Sequence, residues 1–176
     1  MLKANKDTYK LDLGGRSAEE FRKLAKAKNR FDLGGPLPPV VDLVLEVRNT
    51  SDKDIQLFTL PDLAAVELDL KGPDTLTVQM AGPFQLDRRL PKPITLAPGQ
   101  VFTRPIRSLK HGHRDIEFRS CWLAPGEYTL TARFVTSVLP APPGAVLYDG
   151  RLGEPQLKGF GAVTVTTRPL KLKVVR

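Results

Sequence analysis

The chain has 176 residues, 41% hydrophobic and 26% charged, which fits one soluble globular domain able to bury its own core without a metal. Its single cysteine excludes an internal disulfide, and no stretch approaches the roughly 20 apolar residues of a membrane span. Net charge is +8, and residues 1–30 carry nine Lys or Arg against four Asp or Glu. No aromatic platform or reading helix accompanies that charge, so no nucleic-acid partner is expected.

From the start, Met1 to Lys6 leads into no apolar segment of the secretory type. A chain opening on an added Met reads the same way, so export stays open. Thr8 to Leu13 alternates as a short strand and stops at Gly14-Gly15. Ser17-Ala18-Glu19-Glu20 is a capping box that opens a helix over 18–28. Its apolar stripe, Ala18, Phe21, Leu24 and Ala25, is too small to hold so short a helix alone. The helix is therefore expected to dock through Phe21 and Leu24, with its basic half as a solvated face matched to the helix dipole. Phe31 to Pro39 reads as a linker. Residues 1–39 thus form a strand, helix and linker packed on a domain of residues 40–176.

Val40 to Arg48 is the clearest strand, with Val41, Leu43, Leu45 and Val47 on one face and Asp42, Glu46 and Arg48 on the other. Asn49 to Asp54 is a turn of side chains that bond their own backbone, although Asn49-Thr50-Ser51 also matches a glycosylation sequon. Further strands are expected at 55–58, 66–70, 75–80, 94–96, 100–106, 128–134, 163–166 and 170–174. The break at Arg168-Pro169 is a turn, a bulge or a change of sheet. Nine or ten strands with turn signals between them predict an all-β protein.

Two Leu-Ala-Pro-Gly turns, at 96–99 and 123–126, each launch an alternating strand. In the second, Tyr128 opens the strand, where its hydroxyl can bond back to the upstream backbone as a tyrosine corner. This combination predicts an immunoglobulin-like Greek-key β-sandwich with one short N-terminal helix.

Between Ser137 and Gly161 the alternation lapses, and long unpatterned stretches are often functional. Ala145 to Tyr148 fits a short edge strand there. Leu147, Tyr148 and Phe160 are the candidate partner-binding residues, with Val146 beside them. The competing reading is that these side chains fold back to cover one end of the core.

Catalytic and metal sets are thin. Cys121 lies in an apolar run and reads as a small buried hydrophobe. His111-Gly112-His113 could present two rings to one ion if it were a strand, with Asp115 and Glu117 in the same parity. Lys110 and Arg114 oppose a cation, however, and Gly112 suggests a turn. Ser108, His111, His113 and Asp115 contain triad residue types but no nucleophile elbow. No cofactor, metal or catalytic residue is expected.

The run Leu45 to Ile55, the Pro-Gly turn at 96–99 and Pro125-Gly126-Glu127-Tyr128-Thr129-Leu130 resemble immunoglobulin-like bacterial sandwiches, nearest to the intracellular proteinase inhibitor (BsuPI-like) group. The resemblance covers residues 40–136 and is one of fold. The N-terminal helix and the 137–161 stretch depart from that family's smaller domain, so no inhibitory residue carries over. It implies an uncharacterised domain of an exported or envelope protein, with an unknown protein or envelope component as partner, in a monomer or weak homodimer. The function expected first is a non-enzymatic binding or structural module. A proteinase inhibitor and an enzyme with a loop-built site are the alternatives.

Overall fold

The computed structural model describes residues 1–27, 37–59, 64–81, 92–113, 116–147 and 157–176. Along them run β1 (Leu2–Ala4), β2 (Thr8–Lys10), α1 (Ala18–Ala27), β3 (Val40–Arg48), β4 (Ile55–Leu57), β5 (Ala65–Lys71), β6 (Thr75–Ala81) and β7 (Ile94–Leu96). Then follow β8 (Val101–Ser108), β9 (Lys110–His113), β10 (Ile116–Trp122), β11 (Gly126–Leu139), β12 (Val146–Leu147), β13 (Gly161–Thr166) and β14 (Leu170–Val175). The protein is all-β with one short helix, as its turn-punctuated alternation predicts.

The long strand β11 organises one sheet. Along one edge it pairs β14 and then β13; along the other it pairs β5 and then β4. Each edge changes partner at a buried threonine. Arg133 faces Thr166 but Leu130 faces Leu170, so residues 167–169 oppose only 131 and 132, a bulge. Pro169 has no N–H to give a ladder. Thr167 compensates: its N–H donates to the Ala132 carbonyl at 2.9 Å, and its hydroxyl accepts the Ala132 N–H at 3.0 Å. On the opposite edge the Thr136 hydroxyl donates to the Phe58 carbonyl at 2.7 Å. β2 adds to the outside of β14 in parallel, β7 pairs β4, and β12 pairs β13.

The remaining strands form the arrays β1-β3-β8 and β6-β10-β9. Fully buried Leu109 joins them. Its N–H donates to the Pro39 carbonyl at 3.3 Å, while its own carbonyl accepts from the Ser120 N–H at 2.9 Å. One run of chain thus leaves β3 and takes up β10.

The core lies where these arrays meet the β11 sheet. Val41, Leu43 and Leu45 share one cluster with Val66, Leu68, Leu130, Ala132 and Phe134, and half-buried Val47 packs against it. This is the face predicted from the alternation, and burying each large side chain contributes about 1.5–3 kcal/mol.

Both Leu-Ala-Pro-Gly turns carry the chain between sheets: β7 to β8 leaves the β11 sheet, and β10 to β11 enters it. The Tyr128 hydroxyl lies 2.7 Å from the Ala124 carbonyl and 3.0 Å from that of Asp74, and its one proton serves one or bridges both. Gly72 lets the ring sit there, because a Cβ on it would fall 2.2 Å from Tyr128 Cδ1. Asn49 is buried, with Nδ2 donating to the carbonyls of Lys53 (2.7 Å) and Leu96 (2.9 Å), and Oδ1 accepting from Ser51. The sequon asparagine is therefore turn chemistry whose amide is withheld from solvent.

Two expectations are corrected. Gly112 stands in a strand rather than a turn, opposite Glu117 of β10. A Cβ on it would meet the Ile116 carbonyl oxygen at 2.2 Å, and its φ is 143°. The run Ser120-Cys121-Trp122 is the end of a strand that the alternation does not announce. It is buried on both faces: Trp122 lies in the main core, while Cys121 and Leu123 lie beneath Phe21 of α1. Covering both faces removes the period-two signal.

Candidate functional site

The N-terminal segment helps to build a cleft in the described surface. At Ser17 the capping box forms: its hydroxyl accepts the Glu20 N–H at 3.2 Å, and Glu20 Oε2 accepts the Ser17 N–H at 2.8 Å. The bond from the Ser17 N–H, joined by one from the Ser17 hydroxyl at 2.8 Å, holds the Glu20 carboxyl below its usual pKa. The helix is tied down by an Arg22–Asp74 ion pair to the turn between β5 and β6. Phe21 is buried against Cys121 and Leu123, and Ala25 is also buried. Leu24, expected to dock beside Phe21, is only half-buried and faces a cleft instead.

That cleft has a volume of about 910 Å³. Its inner end is aromatic: buried Tyr9 and Trp122 have ring centroids 5.4 Å apart. The Tyr9 hydroxyl donates to the Lys6 carbonyl and accepts the Asp42 N–H at 3.1 Å, which fixes the ring. Phe21 and Leu24 of α1 make one wall, with Leu11 and Leu13 after β2 beside them. Leu37 and Val40 make another, and each is 79% exposed. Lys6, Lys10 and Arg16 stand at the rim against the single carboxylate of Asp12, which the Gly14 N–H already engages at 2.8 Å. An apolar trough under a net positive rim can hold a body without charge and steer an anionic end.

Of the residues singled out in 137–161, Leu147 pairs with Gly161, the residue after Phe160. Ser137 to Leu139 still belong to β11. Phe160 follows the reading in which these side chains fold back onto the core: it is 3% exposed, with its ring centroid 4.9 Å from that of Phe58. The open edge of the core at Phe58 draws it in, together with Leu157. Leu147 and Val146 do stand exposed on the two-residue edge strand β12, and Tyr148 lies outside the described residues.

His111 stacks on Phe118, with centroids 5.3 Å apart, and its buried Nδ1 has no hydrogen-bond partner among the described residues. Burial lowers its pKa, with the charge of Glu67 opposing that shift, so the site favours the neutral ring. No group of three His, Cys, Asp or Glu able to hold a metal ion occurs among the described residues; Asp115 and the His113 side chain lie outside them. Cys121 is buried under α1, and desolvation pushes its thiol up to about 11, leaving almost no thiolate at neutral pH.

Sequence reasoning missed the cleft because its parts were read separately, as a linker at 31–39, a docking stripe on α1 and a general basic excess. The available signal was the apolar pair Leu37 and Val40 flanking Pro38-Pro39, with three cations spaced over residues 6–16. Comparison with protein-family models, curated proteins and solved structures finds no match to the chain.

Proposed function

We propose that this chain is an immunoglobulin-like Greek-key β-sandwich that works as a non-enzymatic binding module, receiving its partner in the cleft beside α1. The cleft carries the reading: concave, mostly apolar sites with a few polar groups are where proteins take ligands, typically at roughly 300–1,000 Å³. Support for the fold comes from the two Leu-Ala-Pro-Gly turns that pass between sheets and from the bond of Tyr128 back to Ala124. The likeness to the BsuPI-like group belongs to the same reading, as a relation of fold. A binding role also suits the chemistry of the reactive side chains, since the Cys121 thiol stays protonated and capped by α1.

Trp122, the only tryptophan, lines the cleft and supplies the test. An uncharged naphthalene dye, prodan, should accept energy from Trp122 in the native protein. Replacing Leu37 and Val40 by Ser removes apolar wall without touching the core, so the melting temperature should hold while dye affinity falls roughly tenfold. Absence of transfer in the native protein, or equal dye binding by the double variant, would overturn the reading.

A further inference from the structure

We infer that the cleft beside α1 takes an anionic amphiphile, a free long-chain carboxylate, with its chain along the apolar walls and its head at the cationic rim. The inference rests on the cleft being the binding site, and it adds the chemical class of the ligand. Two observations carry it. First, Leu37 and Val40 line the cleft yet are each 79% exposed, so a ligand lying against them removes large apolar surface from water. The lining suits an apolar body, because side chains of α1 and residues 37–40 join the buried Tyr9 and Trp122 around one cleft.

Second, the rim is charged in one sense. Among the described residues that line the cleft, Lys6, Lys10 and Arg16 stand against the one carboxylate of Asp12, so the lining is net positive. Lys6 is drawn over the Tyr9 ring, 5.6 Å from its centroid, and Arg16 Nη1 donates to the Gly14 carbonyl at 3.4 Å, which leaves Lys10 and the Nε–Nη2 edge of the exposed Arg16 to meet a bound head group. A guanidinium forks onto a carboxylate through two parallel N–H bonds, and the nearby ammonium adds charge without fixed geometry. A neutral amphiphile gains the walls and forfeits the rim. A small anion gains the rim and forfeits the walls.

The experiment is calorimetric titration of the native protein with dodecanoate below its micelle concentration, beside dodecyl maltoside and acetate. Dodecanoate should bind at a single site. Dodecyl maltoside should bind at least tenfold more weakly, and acetate should give no heat. Lys10→Gln with Arg16→Gln, both at exposed positions, should weaken dodecanoate about tenfold while leaving dodecyl maltoside unchanged. Raising the salt should weaken dodecanoate in the native protein and not in the double variant. Equal binding of the charged and neutral amphiphiles, or no loss in the double variant, overturns the anionic assignment and leaves the binding-module reading standing. Transfer from Trp122 to prodan with no binding of either amphiphile overturns the ligand class alone; loss of prodan binding as well removes both.

Discussion

The two Leu-Ala-Pro-Gly turns share four residues and one task, yet they are held by different means. At 96–99 Leu96 is buried while 97–99 are exposed, and Asn49 holds the turn. Asn49 Nδ2 bonds the Leu96 carbonyl, its backbone carbonyl accepts the Gly99 N–H at 2.9 Å, and its N–H reaches the Gln100 carbonyl at 3.0 Å. At 123–126 the turn is half-buried, and a residue of the strand it launches holds it: the Tyr128 hydroxyl returns to Ala124, four residues back. A turn sequence specifies a bend, but the lock comes from whichever polar side chain the surrounding packing brings within reach. One lock is an amide that does not titrate; the other is a phenol that does.

Removing the first lock should cost most. Asn49→Ala strands the buried Leu96 carbonyl and removes the bonds to the Lys53 carbonyl and from the Ser51 N–H, a loss of about 2–4 kcal/mol in chemical denaturation. Amide exchange should accelerate at Gly99 and Gln100 first; uniform acceleration through β11 would show that Asn49 serves the whole fold and that the two turns are not separable. Next comes Gly72→Ala, whose Cβ collides with the Tyr128 ring and should destabilise by about 1–3 kcal/mol. In a Tyr128→Ala background the same substitution should cost almost nothing, and full additivity in that double-mutant cycle would count against the contact.

Tyr128→Phe keeps the ring and deletes the bond, so about 1 kcal/mol should be lost at neutral pH. Burial raises the Tyr128 pKa above its ordinary 10.0. The folded state therefore keeps its proton where the unfolded chain gives it up. The stability from this difference is present below pH 10 and is lost as pH rises through the folded pKa. Tyr9 is shifted in the same direction. The alkaline slope of the native protein should thus shrink, without vanishing, in the Phe variant, and it should be unchanged in Asn49→Ala. Smallest of all, Gln100→Ala removes an exposed bond to the Ala97 N–H and should shift stability by less than about 0.5 kcal/mol.

Strand positions were legible wherever one face met water. Val40–Arg48 has the boundaries that alternation predicts, and the Asn49 and Ser17 motifs do locally what their residue types imply. Legibility failed in two situations. Where both faces are covered, as in β10 under α1, the alternation disappears. Where an apolar side chain in an unpatterned stretch has a choice, as Phe160 and Leu147 do, the sequence offers no direction: one packs on Phe58 and the other stays exposed. The cleft combines both difficulties, since its walls come from segments that sequence treats as unrelated.

By itself, then, the sequence determined the all-β class, the inward face of the main strands, the helix cap and both sheet-crossing turns. Each depends on residues within a few positions of one another, where backbone geometry and period-two burial act directly. Only the tertiary structure decided that Tyr9 and Trp122 meet, that Thr167 substitutes for a ladder partner at the bulge, and that Leu24, Leu37 and Val40 line one cleft with Lys6, Lys10 and Arg16. Those outcomes bring together residues distant in the chain, and contact at that range follows from how whole faces pack, not from any local pattern.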